Sequence, residues 1–296
     1  MALAQAHEVR ARLMAAHGLP ESAISINVIK TTGDRVLDRP LADVGGKGLF
    51  TKEIEDALLA NEVDVGVHSM KDMQTVLPGG LAVGAVLPRE DPRDAFISLR
   101  HADFNSLPLN AVVGTSSLRR KSQVLNARPD LRVVEFRGNV QTRLRKLEEG
   151  VAEATFLAVA GLKRLGMQDR ITAPVSIDHM LPAVAQGVIA LEIRDGDEAT
   201  AALIAPLNDP ETAVAATAER TFLARMEGSC RTPIAGYAQI NAGELLFRGQ
   251  ILSVDGSRSY NVSRGGLPEN ASDLGLAAAD QILTKADPAI LLRSNA

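Results

Sequence analysis

A strand–turn–helix unit occurs twice in succession between residues 111 and 150, and both copies place arginine at or just after the turn. In the first, Ala111 to Gly114 reads as a short buried strand, Thr115-Ser116-Ser117 as the turn, and Leu118 to Arg128 as a helix ended by Pro129. In the second, Arg132 to Phe136 is the strand, Arg137-Gly138-Asn139 the turn, and Val140 to Glu149 the helix, closed by Gly150. Two such units side by side set Arg119, Arg120, Arg137 and Arg143 on one rim at the carboxyl ends of parallel strands, where open α/β sheets bind ligands. Hydroxyls and free N–H groups at a helix N-terminus seat anions. Two arginines in a first helical turn work against the helix dipole, so they are expected to serve a ligand. Between 119 and 146, nine Arg and Lys stand against Asp130 and Glu135, in a chain of formal net charge −4. The basicity is local and predicts an anionic ligand. Arg128, Arg145 and Lys146 read as members of solvated helix faces.

At 296 residues the chain predicts two or three domains, and 46% hydrophobic with 23% charged residues describes an ordinary globular composition. It contains no apolar run long enough to cross a membrane, and Met1 to His7 lacks the basic and apolar regions of a signal peptide. One cysteine excludes an internal disulfide framework and suits a reducing cytosol. Five scattered histidines predict no metal site. Aromatic residues at 3%, without tryptophan, argue against stacking on single-stranded nucleic acid.

Along the chain, Met1 to His17 reads as a helix stopped at Gly18, and Ser25 to Ile29 as a strand. Val44 to Phe50 is glycine-rich but fails the Walker pattern, since Gly48 follows Lys47; it reads as a mobile segment leading into a helix from Thr51 to Asn61. Val63 to His68 is a strand. The Ser69-Met70-Lys71-Asp72 that follows sets a carboxylate beside a lysine, either a salt-bridged loop pair or a proton-handling pair. Leu87 to Asp94 reads as a domain crossover and Val188 to Ile193 as the returning strand. The predicted domains are 1–87 with 188–206, 93–182, and 210–296. The last has a helix from Thr212 to about Met226, hairpins at Ala242-Gly243 and Asp255-Gly256, and a final helix near Asp273 to Leu283. Cys230 sits beside Arg231, which leaves a buried inert thiol and a reactive one both open.

These stretches together resemble the porphobilinogen deaminase (hydroxymethylbilane synthase) family. The resemblance is carried by Val-Gly-Gly-Lys-Gly-Leu-Phe at 44–50, Val-His-Ser-Met-Lys-Asp at 67–72 and Arg-Glu-Asp-Pro-Arg-Asp-Ala-Phe at 89–96. Val-Gly-Thr-Ser-Ser-Leu-Arg-Arg at 113–120, Arg-Gly-Asn-Val at 137–140, Leu-Ala-Val-Ala-Gly-Leu-Lys-Arg-Leu-Gly at 157–166, Leu-Pro-Ala-Val at 181–184, Gln186-Gly187 and Glu-Gly-Ser-Cys at 227–230 continue it.

The resemblance implies an α/β fold of two doubly wound lobes, like periplasmic binding proteins, plus a small α+β C-terminal domain. It implies that four porphobilinogen molecules are joined head to tail, each losing ammonia, and released as a linear tetrapyrrole. It also implies a dipyrromethane cofactor bound covalently to Cys230, and Asp72 as the catalytic carboxylate on the pyrrole nitrogens. Ser69, Lys71, Thr115, Ser116, Ser117, Arg119 and Arg120 are implied as cofactor-binding, and Lys47, Phe50, Arg137, Arg143, Arg164 and Gln186 as substrate-binding. Planar arginine forks suit the acetate and propionate that each pyrrole carries. The expected state is a cytoplasmic monomer.

Three local departures from the family pattern are Met73-Gln74 for the usual Val-Pro, Asp43 for lysine and Ala185 for glycine. Met1 also stands almost where a first strand with its arginine should finish, so an N-terminally shortened chain of reduced stability and activity is expected. The alternatives are a non-catalytic two-lobed anion-binding or sensing protein and, more weakly, a nucleic-acid binder.

Overall fold

A computed structural model describes residues 1–35, 48–227, 232–287 and 290. In chain order the elements are α1 (Ala2–His17), α2 (Thr32–Arg35), α3 (Lys52–Leu59), β1 (Gly66–Ser69), β2 (Leu81–Val86), β3 (Asp94–Ser98), β4 (Val112–Gly114), α4 (Leu118–Ala127), β5 (Arg132–Val134), α5 (Val140–Glu148), β6 (Ala154–Ala158), α6 (Val159–Arg164), β7 (Ala173–Pro174), β8 (Ile189–Arg194), α7 (Glu198–Ile204), α8 (Pro210–Arg225), β9 (Ile234–Asn241), β10 (Glu244–Leu252), β11 (Ser259–Gly266) and α9 (Ala271–Lys285). Three sheets organise them, with strand orders β1-β8-β2, β5-β4-β6-β3-β7 and β11-β10-β9.

The five-stranded sheet is the doubly wound one. β4 runs parallel to both β5 and β6, and β3 closes the sheet antiparallel to β6. Each parallel pair needs a crossover helix, which α4 and α5 supply. β3 and most of β6 are buried, as a sheet covered on both faces requires. Gly114 ends β4 because a Cβ there would meet the Phe136 ring at 2.4 Å, and that ring is fully buried.

In the first lobe, β8 returns from the second lobe and runs antiparallel between β1 and β2. Val9 and Leu13 of α1 pack on Ile189, Leu191 and Ile193 of β8, one α-helical face against a strand buried on both sides. The strand expected at Ser25 to Ile29 does not form. None of the described strands runs beside it, and Val28 is 67% exposed. An extended segment without a ladder gains no stability from its β-branched residues.

The third unit is a three-stranded antiparallel meander, β9-β10-β11, backed by α8 and α9. Asp209 caps α8 by accepting from Thr212 N at 2.8 Å, with Pro210 opening the helix. Ala215, Ala218, Phe222 and Met226 then present one apolar face to the sheet, and the Phe222 and Phe247 rings stand 5.0 Å apart. The hairpin expected at Ala242-Gly243 joins β9 to β10, both turn residues having positive φ.

Two segments cross between the first and second lobes, and they are hydrogen-bonded to each other: Leu87 N to Ile189 O at 3.0 Å and Glu90 N to Gly187 O at 3.2 Å. Gly187 has φ +92, and a Cβ there would meet Glu90 O at 2.3 Å, so only glycine fits. Glu219 of α8 is fully buried at this crossing. It accepts from Arg89 at 2.5 Å, Ala185 N at 2.6 Å and Ala238 N at 2.7 Å, which ties the third unit to both crossing segments.

Candidate active site

The two β–α turns lie next to one another and are bonded together. Ser116 Oγ accepts from Phe136 N at 3.2 Å. Ser117 caps α4 by accepting from Arg120 N at 3.4 Å, and Thr115 Oγ1 accepts from Ser117 N at 3.1 Å. In all three contacts the hydroxyl oxygen is the acceptor, so each hydroxyl proton remains available to an anion. Asn139 caps α5, and Arg143 Nε donates to Gly138 O at 2.8 Å, holding Arg143 against the second turn.

Arg119 and Arg120 do not stand on an open rim as the repeat suggests. They are about 5% and 6% exposed, and both guanidiniums fold onto Asp94 at the start of β3. Arg119 Nη1 donates to Asp94 Oδ2 at 2.7 Å and to Leu181 O at 2.9 Å. Arg120 Nη2 donates to Asp94 Oδ1 at 2.6 Å, and its Nη1 to Phe156 O at 2.9 Å. Burial pushes the Asp94 carboxyl up, but the two guanidiniums overcome it and hold it well below the usual carboxylate range. Sequence reading missed Asp94 by leaving it in the crossover. The signal was there: an acid opening a wholly buried apolar strand needs a charge partner.

Gln186, fully buried, joins the lobes. Its Nε2 donates to Pro92 O at 2.7 Å and Asp94 Oδ1 at 3.1 Å, and its Oε1 accepts from Lys71 Nζ at 3.4 Å. Lys71 and Asp72 therefore stand across from the second-lobe arginines, on the single 3-10 turn Met70–Asp72 that follows β1. Burial lowers the Lys71 pKa, with Asp72 opposing and Arg120 assisting. Dehydration raises Asp72 although its side chain keeps open surface, as befits a group in a cleft; Lys71 and His68 pull it back. The two neighbours form no ion pair within 4 Å, and Asp72 has no hydrogen bond to any described residue, so its oxygens are left for a ligand.

Arg137 and Arg143 complete the basic surface. Arg137 Nη1 is buried with no hydrogen-bond partner, as is Arg119 Nε. Burial, with Arg120 and Arg137 adding positive charge, brings the Arg143 pKa down to about 10. Arg143 makes no ion pair among the described residues. Arg145 pairs with Glu149 at 3.5 Å on its helix face, as expected, whereas Arg128 lies just past the end of α4 and pairs with Asp130 at 2.7 Å. Lys146 is partly covered and bonds Arg137 O at 3.0 Å.

Other expected site residues make the following contacts. Arg164 is bonded to Gly187 O at 3.0 Å and pairs with Glu8 at 3.3 Å, so it fastens the crossing and α1. Ser69 Oγ accepts from Gln5 of α1 at 2.8 Å. The Phe50 ring lies where a Gly33 side chain would stand, 2.3 Å from an ideal Cβ there, so it covers the turn at Thr32–Arg35. Lys47 and Cys230 lie outside the described residues.

Fold and site together define a two-lobed α/β protein with a cationic cleft and an unbonded carboxylate beside it, closed by an α+β unit. Family models match on the same division: "Porphobilinogen deaminase, dipyromethane cofactor binding domain" over residues 1–202 and "Porphobilinogen deaminase, C-terminal domain" over 213–284. A porphobilinogen deaminase of Paracoccus denitrificans is 58% identical over 286 residues, covering 97% of this chain and 91% of that one. A chloroplastic porphobilinogen deaminase of Pisum sativum is 54% identical over 294 residues, covering 97% and 80%. A periplasmic substrate-binding protein of an ABC transporter from Coxiella burnetii shares 12% identity at a TM-score of 0.42 over 73% of this chain and 92% of that one, a likeness too weak to argue from. The chain belongs to the porphobilinogen deaminase family.

The residues present fit a dipyrromethane, whose two pyrroles carry carboxylates. The cleft offers the Lys71 ammonium and the guanidiniums of Arg119, Arg120, Arg137 and Arg143, and two of these forks carry buried N–H groups with no protein acceptor. A polycarboxylate supplies the missing acceptors.

Proposed function

We propose that this chain condenses porphobilinogen head to tail, releasing ammonia, with Asp72 as the carboxylate at the reacting centre. The observation that carries the reading is the meeting of the unbonded Asp72 and its neighbour Lys71 with Arg119 and Arg120, through Gln186, across the two lobes. When bound, the dipyrromethane supplies the pyrrole on which new units are added. Lys71, Arg119, Arg120, Arg137 and Arg143 would hold its carboxylates and those of the substrate, with the hydroxyls of Thr115, Ser116 and Ser117 donating beside them. Cys230 is its assigned point of attachment.

Asp72 accepts a hydrogen bond from the substrate's pyrrole N–H and stabilises the positive charge that develops as ammonia departs. Its raised pKa brings it nearer the range in which a carboxylate also exchanges protons usefully. Gln186 holds Lys71 against the Asp94 cluster, so the lobes close on one another at a fixed spacing. We assign the lobes to residues 1–87 with 188–206 and to 93–182, and the cofactor-bearing unit to 210–296, working as a single chain in a reducing cytosol.

The test is ammonia release from porphobilinogen. The wild-type chain should release it and Asp72→Asn should do so roughly 100-fold or more slowly, as for loss of one charge-stabilising group. Equal rates would move the catalytic carboxylate elsewhere.

A further inference from the structure

Immediately after the turn that carries Asp72, the chain is held by a residue of the third unit. Arg220 of α8 donates through Nη2 to Gln74 O at 2.6 Å and to Thr75 O at 3.2 Å. The Met70–Asp72 turn is one 3-10 turn long, and the Ser69 side chain at its N-terminus, bonded to Gln5, makes no capping bond to it. A turn that short is set by its flanks. Upstream the flank is β1, paired to β8. Downstream the recorded side-chain anchor on the backbone is this guanidinium.

Arg220 also feels a buried carboxylate. Glu192 is fully buried in the central strand β8, opposite Gly66 and Val83, and neither of its oxygens has a hydrogen-bond partner among the described residues. His68 Nε2 lies 3.0 Å from its Oε2. Burial lowers the Arg220 pKa, and the charge of Glu192 opposes that shift. The Nη2 donors of Arg220 go to the two carbonyls. Glu219, the preceding residue of α8, fastens both crossing segments. One helical turn of the third unit therefore grips both the crossing and the segment after Asp72.

We infer that Arg220 is a positioning residue for the reaction: its bonds to Gln74 O and Thr75 O fix the orientation of the turn that presents Asp72. The inference rests on Asp72 being the catalytic carboxylate. Displacing a reacting group by about 1 Å can cost about 100-fold in rate, so loss of the guanidinium should appear in kcat rather than in KM.

The experiment compares Arg220→Met, Arg220→Lys, Arg220→Met/Glu192→Gln and Asp72→Asn, each first shown by intact mass to be loaded with cofactor. Arg220→Met should lower kcat by roughly 10- to 100-fold with KM within about twofold, and should speed amide hydrogen exchange at residues 70–76. Arg220→Lys, which keeps a cationic donor, should recover most of the rate. The double variant removes the buried charge that Arg220 faces. If the loss came only from an uncompensated Glu192, the double variant would regain the wild-type rate, and positioning would be overturned. It would be overturned equally by unchanged kcat and unchanged exchange in Arg220→Met. Failure of the Asp72 assignment reads out separately, as a wild-type rate in Asp72→Asn.

Discussion

Gln186 Nε2 donates to Asp94 Oδ1 at 3.1 Å, and both residues are fully buried. Through that bond the crossing segment touches the carboxylate on which Arg119 and Arg120 converge. Asp94 neutralises part of the cluster and orients the rest. Without it, two guanidiniums would be buried side by side with no counter-charge, which is costly.

Asp94 is accordingly the residue whose loss should destabilise the fold most. Asp94→Ala leaves the charges of Arg119 and Arg120 buried and unpaired, which costs about 3–5 kcal/mol. The expected outcome is a marked fall in melting temperature. Because the folded pKa is depressed, the stabilisation is complete above the ordinary aspartate value of 3.8 and is lost as pH falls below it towards the folded pKa. Acid-unfolding curves should therefore be shallower in Asp94→Asn than in wild type over that acidic range. Identical curves would show that the cluster contributes no pH-linked stability.

Asp72 titrates in the opposite sense. Its pKa is raised above 3.8 by dehydration, and the ionised form is the one that accepts the pyrrole N–H. Activity should fall as pH drops through that raised value, placing the acid limb of kcat above the ordinary aspartate range. Lys71→Met removes the neighbouring cation that pulls Asp72 down, so the limb should move to higher pH. A limb that stays fixed would separate Lys71 from Asp72 electrostatically.

Arg137 and Arg143 bear on affinity. Arg143→Ala and Arg137→Ala should raise KM for porphobilinogen or stall elongation early, while leaving melting temperature nearly unchanged, because among the described residues neither is held by a strong ion pair: Arg137 stands 3.9 Å from Glu135 and Arg143 has no acidic partner within 4 Å. Arg164→Ala should act differently. It removes the bond to Gly187 O and the pairing with Glu8, so stability should fall along with activity. If Arg164→Ala alters only KM, its placement at the crossing is secondary to a substrate role.

Much of this was legible in the sequence. The strand–turn–helix repeats gave the second lobe, because buried β-branched runs alternating with capped helices leave few ways to pack. The hairpin turns and the helix expected from Thr212 gave the third unit, although α8 starts two residues earlier, at Pro210. What could not be read were partners distant in sequence. Asp94 meets arginines some 25 residues on, and Gln186 meets Lys71 115 residues back. Periodicity carries no information on such pairs. Ser25 to Ile29 shows the converse, a good local strand pattern that forms no ladder. The contacts of Ser69 with Gln5 and of Phe50 over Gly33 are likewise long-range in sequence.

The covalent anchor is tested by substitution. Cys230→Ser, expressed with porphobilinogen available, should show only the mass of the unmodified chain. The same adduct on that variant would place the attachment at another residue.

Intact mass of the wild-type chain, recorded before and after a short incubation with porphobilinogen, tests the central claim most directly. The account predicts a chain heavier than its sequence by a dipyrromethane, then a ladder of further increments of one pyrrole unit each as Asp72 and the arginine cluster support elongation. A single peak at the bare-chain mass under both conditions would contradict it and favour a two-lobed protein that binds anions without turning them over.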